Sequence, residues 1–313
     1  MCTPHAIPTV NGERASYSTD FWNHMKTGYV SNSLSEESDP AGGYLVPTTY
    51  DGDIIRALRE KNFMRRICVS VPTEKKLIYP KIIKYTTAQW VSENQPYVES
   101  DMEFGEIVLD AYKLTDKIII SEELMADSGI DLEKFILTEF SESFADAEEE
   151  AFLVGDGDGK PAGVVNQAQI GCVSQAKNAI TVDDLINLTY SVPRQFRNRS
   201  VFVMSTDAYT KMRKIKTAYG KYMWQDDVAE GDPNKLFSHD VYVTRYLDCV
   251  ESGGIPVLFG DFSNFVIGDR GRRMLKRLDE KYADQGQIGF IMSERVDGKL
   301  LRSDAVKSLQ VKA

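Results

Sequence analysis

One helix dominates the sequence pattern. Between Leu132 and Ala151 apolar side chains recur at steps of three and four residues, while glutamates fill the other faces. Ser128 or Asp131 can cap its start, and Gly155 stands where a left-handed closing residue is expected. About 23 helical residues at 1.5 Å each make a rod of roughly 35 Å. Such a rod is a spine on which other elements can pack.

The segment from Val69 to Ile120 is rich in β-branched and aromatic residues and predicts one long hairpin. Its middle holds few residues able to form a core of their own, and Pro80 and Pro96 exclude a central strand. An irregular stretch of about twenty residues fits a compact chain when it extends outward and packs on another subunit. Five apolar or aromatic residues would be buried there: Tyr79, Ile82, Ile83, Trp90 and Tyr97.

The first forty residues are polar and lack sustained periodicity, so they predict an arm. Near-helical spacing of its aromatic residues predicts one amphipathic turn that docks either on the chain's own core or on another surface; the docking residues are Tyr17, Phe21 and Trp22.

Beyond Gly171 the pattern is mixed α/β. Thr181 and Asp184 form a capping box before a helix that ends at Pro193. Short strands are predicted at 200–205, 241–243, 257–259 and 265–267, and Asp297-Gly298 predicts a tight hairpin turn.

Composition narrows the class of protein. The 313 residues allow about two domains, and no apolar run approaches the roughly 20 residues of a membrane span. Four widely spaced cysteines indicate neither a disulfide framework nor a zinc site. A net charge of −10 opposes strong non-specific binding to nucleic acid. A soluble protein with no membrane partner, no cofactor and no metal is expected.

Catalytic motifs are missing from the sequence. His239 beside Asp240 is the one histidine outside the arm, and no Gly-x-Ser-x-Gly motif accompanies it. The run 155–160 matches neither a phosphate-binding loop nor a calcium loop, because Pro161 follows Lys160 and the twelfth position lacks a Glu. A second candidate contact surface is basic, formed by Arg194, Arg197 and Arg199; a phosphate backbone or inter-subunit salt bridges would both suit it.

Several motifs occur in an order that resembles the HK97-like major capsid proteins of tailed bacteriophages (Caudoviricetes). They are Gly42-Gly43-Tyr44-Leu45-Val46-Pro47, then Trp90-Val91-Ser92-Glu93-Asn94, then Ile120-Ser121-Glu122-Glu123-Leu124, the long acidic helix with its glycine-rich exit, and Glu294-Arg295-Val296-Asp297-Gly298. The resemblance implies an α+β HK97-like capsid fold. That fold has a long spine helix, an extended β-hairpin loop (E-loop), a peripheral domain and a mixed α/β axial domain.

The resemblance also divides the chain. It implies an arm over 1–40, a peripheral domain that starts at 41–73, and an E-loop over 74–105. The peripheral domain resumes over 106–180, with the spine at 131–154. The axial domain then covers 181–267, and 268–313 return to the peripheral domain. Glu93 and Asn94 join the expected inter-subunit contacts of the loop.

The function implied is that of a structural, non-enzymatic protein that self-assembles through hexamers and pentamers into an icosahedral phage head around double-stranded DNA. Expected partners are copies of itself, a portal protein, a scaffold, and a protease or decoration protein; the packaged DNA is held without sequence-specific binding. The expected location is the virion capsid, after synthesis in the bacterial host cytoplasm.

Two alternatives remain open at this point. One is an encapsulin-like shell of a bacterial nanocompartment, which keeps the fold and changes the cargo. The other is a cytosolic enzyme with a site near His239.

Overall fold

The structure, a computed structural model, describes residues 12–31, 34, 43–84, 103–127, 131–216, 219 and 235–313. The helices are α1 (Gly12–Thr27), α2 (Thr48–Lys61), α3 (Phe63–Ile67), α4 (Glu122–Asp127), α5 (Leu132–Val154), α6 (Val164–Gln167), α7 (Val182–Ser191), α8 (Arg194–Arg197) and α9 (Thr206–Arg213). The strands are β1 (Tyr44–Leu45), β2 (Val69–Thr73), β3 (Leu77–Lys84), β4 (Glu103–Leu109), β5 (Tyr112–Ser121), β6 (Gln169–Lys177), β7 (Val201–Ser205), β8 (Lys235–Leu236), β9 (His239–Thr244), β10 (Val257–Gly260), β11 (Phe265–Arg270), β12 (Met274–Leu278), β13 (Gln287–Leu300) and β14 (Val306–Lys312).

These elements form two compact units. The first contains the described residues of Met1–Asn62, Lys113–Glu148 and Arg270–Arg295, and the second those of Phe63–Tyr112, Glu149–Asp269 and Val296–Ala313. Along the chain, α5 and β13 each contribute residues to both units. None of the helices described is long and apolar enough to cross a membrane.

The first unit packs helices on an antiparallel sheet. β12 pairs with β1 and with β13, in the register Leu275↔Met292, and β5 also pairs with β13. Helices and strands of this unit share one apolar core, whose buried residues include Phe21, Trp22, Met25, Leu58, Ile136, Phe140, Phe144, Phe290 and Met292.

The arm contains a longer helix than the sequence pattern predicts. α1 spans 16 residues instead of one turn, and Phe21 and Met25 on it are fully buried in the core of the first unit. Tertiary packing explains the length, because a helix of weak amphipathicity is stabilised chiefly by the face that it buries.

The second unit contains a mixed six-stranded sheet in the order β6-β14-β10-β7-β9-β8. β7 and β9 are parallel, β10 is antiparallel to both β7 and β14, and β14 is parallel to β6. Helix α7 contacts β6, β14 and β10. The sheet therefore draws strands from 169–177 and 306–312, outside the 181–267 range of the predicted axial domain.

The sequence-predicted 69–120 hairpin is shorter in the structure. β3 and β4 pair with each other alone among the described strands, while β2 pairs with β11 and β5 pairs with β13. The alternating pattern is common to all four strands, but it does not encode which partner each strand takes.

The predicted hairpin turn at Asp297-Gly298 is wrong. Both residues lie inside the continuous strand β13, where Gly298 pairs with Ile267. A Cβ at Gly298 would lie 2.6 Å from the ring of Phe265, so the glycine permits close packing there.

Gly155 likewise follows α5 without the left-handed backbone that the sequence predicts. A Cβ at Gly155 would overlap the carbonyl oxygens of Pro161 and Ala151, and the positive φ angles fall instead at Gly157 (+85°) and Gly159 (+67°). Gly155 is therefore required because there is no room for a side chain, and its backbone conformation is not the reason.

Candidate interaction surfaces

A two-stranded ribbon exposes apolar side chains. β3 and β4 pair antiparallel, with Ile78 directly opposite Val108. These two side chains are 53% and 39% exposed, whereas Leu109 in the same strand is buried. A two-stranded ribbon alone is marginally stable in water, so its exposed apolar pair favours a further packing partner.

The root of this ribbon is held by other residues of the second unit, to which the ribbon belongs. Asp297 accepts the backbone N–H of Asp110 at 2.8 Å and that of Gly298 at 2.7 Å. Lys76 pairs with Asp110 at 2.7 Å, across the first rung of the ribbon. Burial raises the pKa of Asp297 above its ordinary value, although both backbone donors favour its charged form. The ribbon therefore starts from an ordered base.

A neighbouring tyrosine reinforces that base. The Tyr112 hydroxyl donates to the carbonyl oxygen of Gly157 at 3.0 Å, which ties the start of β5 to the glycine-rich loop after α5. Burial, followed by the charge of Asp297, raises the pKa of Tyr112. Its hydroxyl therefore stays a donor at neutral pH.

The predicted contact residues of the extended loop divide into two groups. Tyr79 lies half-buried in β3, opposite Ile107. Ile82 and Ile83 also lie in β3, but their side chains are outside what the structure describes, as are the whole residues Trp90, Glu93, Asn94 and Tyr97. For these residues an inter-subunit role stays a prediction.

The basic residues lie around α8 in the second unit. Arg197 donates from Nε to the carbonyl of Val192 at 2.7 Å and from Nη2 to that of Tyr190 at 3.0 Å, and its guanidinium lies 4.9 Å from the Tyr190 ring centroid. Arg194 and Arg199 are exposed. Arg194 and Arg197 line a cavity of about 500 Å³, whereas Arg199 is not among its lining residues.

The predicted docking residues of the arm lie in the first unit. Trp22 is buried and packs edge-to-face on Phe21 at 5.3 Å and on Tyr50 at 5.4 Å. The Tyr17 hydroxyl donates to the carbonyl of Leu45 at 2.8 Å. The structure thus places all three residues against the chain's own core. Tyr50, the partner from α2, carries no sequence signal of this role.

Two buried arginines were not anticipated from the sequence. Arg65 makes a bidentate pair with Asp269, at 3.0 and 2.8 Å, inside the second unit. Arg273 pairs with Glu294 at 2.7 Å and with Asp51 at 3.0 Å inside the first. Each pair joins residues more than twenty positions apart, so no local spacing rule could have found it.

The His239 side chain contacts a backbone carbonyl and an aromatic ring of the same unit. Its Nδ1 lies 2.9 Å from the carbonyl oxygen of Ser200, an acceptor that fixes the proton on Nδ1, and its ring packs edge-on to Phe259 at 5.1 Å. Across the part of the chain that the structure describes, no group of three or more His, Cys, Asp or Glu residues could hold a metal ion.

The glycine-rich run that begins at Gly155 is held by hydrogen bonds to its own backbone. Gly163 donates to the carbonyl of Gly155 at 2.8 Å, and the Asn166 amide donates to the same oxygen at 2.7 Å. Asp156 and Ala162 form a bridge. The geometry is that of a tight helix exit.

A long spine helix, an exposed two-stranded ribbon and a mixed six-stranded sheet define the class of this α+β fold. The chain belongs to the phage capsid family, whose model matches residues 42–311. The resemblance to HK97-like major capsid proteins and the predicted α+β HK97-like fold are confirmed.

Two curated relatives are major capsid proteins. That of Klebsiella oxytoca phage phiKO2 is 23% identical over 284 residues, which cover 83% of this chain and 62% of the relative. That of Escherichia phage T5 is 23% identical over 298 residues, which cover 88% and 62%. The chain therefore spans about three fifths of the length of these relatives.

Solved structures show the same fold. The capsid of a native GTA particle matches with a TM-score of 0.71 and 24% identity, over 80% of this chain and 90% of that one. A chain from Gordonia phage Cozz matches with a TM-score of 0.60 and 14% identity, over 80% and 87%.

Proposed function

We propose that this chain is the structural subunit of a phage head, which assembles through hexamers and pentamers into an icosahedral shell around double-stranded DNA. The observation that carries the proposal is the β3–β4 ribbon with its exposed Ile78–Val108 pair on an anchored base. Burying an apolar side chain of this size contributes roughly 1.5 to 3 kcal/mol. Repetition of that contact around closed rings would multiply it over the shell.

Each predicted domain would have its own role in such a shell. The loop at 74–105 would lie across a neighbouring copy, with Tyr79 near its root and Trp90 and Tyr97 farther along. The spine at 131–154 would organise the peripheral domain, and the axial domain at 181–267 would meet its copies at the five-fold and six-fold axes.

The charge supports a container role. A net charge of −10 leaves the wall with little general attraction for a polyanion, so packaged DNA would stay mobile and be held without sequence-specific contacts. The mature location would be the virion capsid, after synthesis in the host cytoplasm. A portal protein, a scaffold and a protease or decoration protein remain the proposed partners. A structural role without catalysis agrees with the contacts of His239.

The test is direct visualisation of the expressed full-length chain. Electron micrographs and sedimentation should show closed shells and rings of five or six subunits, and particles from infected cells should contain genome-length DNA. Shells that enclose a protein cargo and no DNA would instead support a nanocompartment. A small oligomer under every condition, together with measurable turnover that His239→Ala abolishes, would contradict the proposal in favour of an enzyme.

A further inference from the structure

A cavity in the second unit combines exposed apolar side chains with positive charge. It measures about 500 Å³ and lies where the outer face of α7 meets α8 and the start of β9. Its apolar part is formed by Ile186, Tyr190 and Phe237, all of which are exposed; Tyr190 is 68% exposed. Exposed aromatic surface next to a concave site indicates an interaction surface.

The polar part of the cavity carries charge of one sign. Arg194, Arg197 and Asn198 line it, and among the described residues no Asp or Glu does. Arg194 is exposed and has no hydrogen bond or ion pair to any described residue. Its guanidinium is thus available to a carboxylate from outside.

The site is also pre-organised. Arg197 is held by the carbonyls of Val192 and Tyr190 and stacks on the Tyr190 ring, so both side chains are already ordered. Ordered side chains lose less conformational entropy when a partner binds. Tyr and Arg are also the residue types that contribute most to binding energy at protein interfaces.

We propose that this cavity receives an acidic segment of a second copy of this chain, with a carboxylate on Arg194 and an apolar side chain against Tyr190 and Phe237. The inference rests on the proposed shell function and names a specific contact within it. Charge favours this occupant, because a chain with 47 acidic and 37 basic residues presents carboxylates over much of its surface. The apolar part of the cavity favours a protein over DNA, because the phosphate backbone of DNA is charged and offers no apolar group to bury there.

The test uses full-length chains and compares Arg194→Glu and Tyr190→Ser with Lys177→Glu. Lys177 is an exposed lysine in β6 that does not line the cavity, so it controls for the charge change. Sedimentation velocity should show about thirty-fold weaker self-association for both cavity variants, with an unchanged melting temperature of the single chain. Lys177→Glu should assemble normally, and Arg194→Lys should recover part of the association.

Three results would overturn the proposal. The first is assembly of the cavity variants equal to that of the wild type. The second is normal assembly with loss of DNA content, which would assign the cavity to nucleic acid. The third is a melting temperature that falls in step with assembly, which would assign the cavity to contacts within one chain. A wild-type chain that never self-associates would overturn the shell function as well, so the two failures are distinguishable.

Discussion

Removal of the buried cation Arg273 should destabilise the first unit more than any surface change. Arg273 is 5% exposed and pairs with Glu294, 4% exposed, and with Asp51, 15% exposed, at 2.7 and 3.0 Å. Arg273→Met keeps much of the side-chain volume but leaves two carboxylates without this cation. Breaking a buried ion pair in this way costs about 3 to 5 kcal/mol.

The assay is urea unfolding of unassembled subunits followed by circular dichroism, with Arg56→Met as the matched control. Arg56 and Asp53 form an ion pair in the same helix, but their side chains are 73% and 56% exposed. Exposed pairs contribute at most about 1 kcal/mol, so this control should stay within that limit. Adding Asp51→Asn and Glu294→Gln to Arg273→Met should restore part of the loss, because the two negative charges that Arg273 pairs with are then removed as well. Equal stability of Arg273→Met and Arg56→Met would show that the buried ion pairs of Arg273 contribute no more to stability than an exposed pair does.

Further variants test the base of the ribbon and the exit of the spine. Burial raises the pKa of Asp297, so this carboxyl group binds a proton more tightly in the folded protein than in the unfolded one. The contribution of Asp297 to stability therefore falls as the pH rises from its unfolded pKa to its folded pKa. Asp297→Asn should therefore lose more unfolding free energy relative to wild type below that window than at pH 7; a difference that widens with rising pH would contradict this. Gly155→Ala should lower the free energy of unfolding by several kcal/mol in urea titrations, since its Cβ overlaps two backbone carbonyls. Gly52→Ala lies at an exposed position of α2 with no atom within 4 Å of the added Cβ, so it should instead raise the free energy of unfolding by about 1 kcal/mol. A more stable Gly155→Ala than Gly52→Ala would contradict both expectations.

Some of these elements could be predicted because their signals are local. The spine was expected over 131–154 and is observed at Leu132–Val154, with Asp131 accepting the N–H of Lys134 at 3.5 Å. The capping box of Thr181 and Asp184 forms both of its hydrogen bonds. In each case residues within four positions determine the structure.

Other features depend on distant residues and could not be predicted. Asp297-Gly298 matches a turn motif, yet strand pairing with β11 and the ring of Phe265 keep it extended. Arg273 and Asp51 are separated by 222 positions. The cavity around Tyr190 and Phe237 likewise needs the sheet to bring α7 and β9 together. Local rules do not include tertiary contacts of this kind.

In the proposed shell, residues 85–102 between β3 and β4 would stabilise contacts between subunits and leave the fold of one subunit unaffected. The decisive measurement replaces residues 85–102 by Asn-Gly, a turn that closes two strands, and follows the protein by sedimentation velocity and thermal unfolding. The expected result is the wild-type unfolding midpoint for the single chain together with loss of shells and large rings. Shells that form as readily as in the wild type, or a single chain that unfolds without its loop, would contradict it.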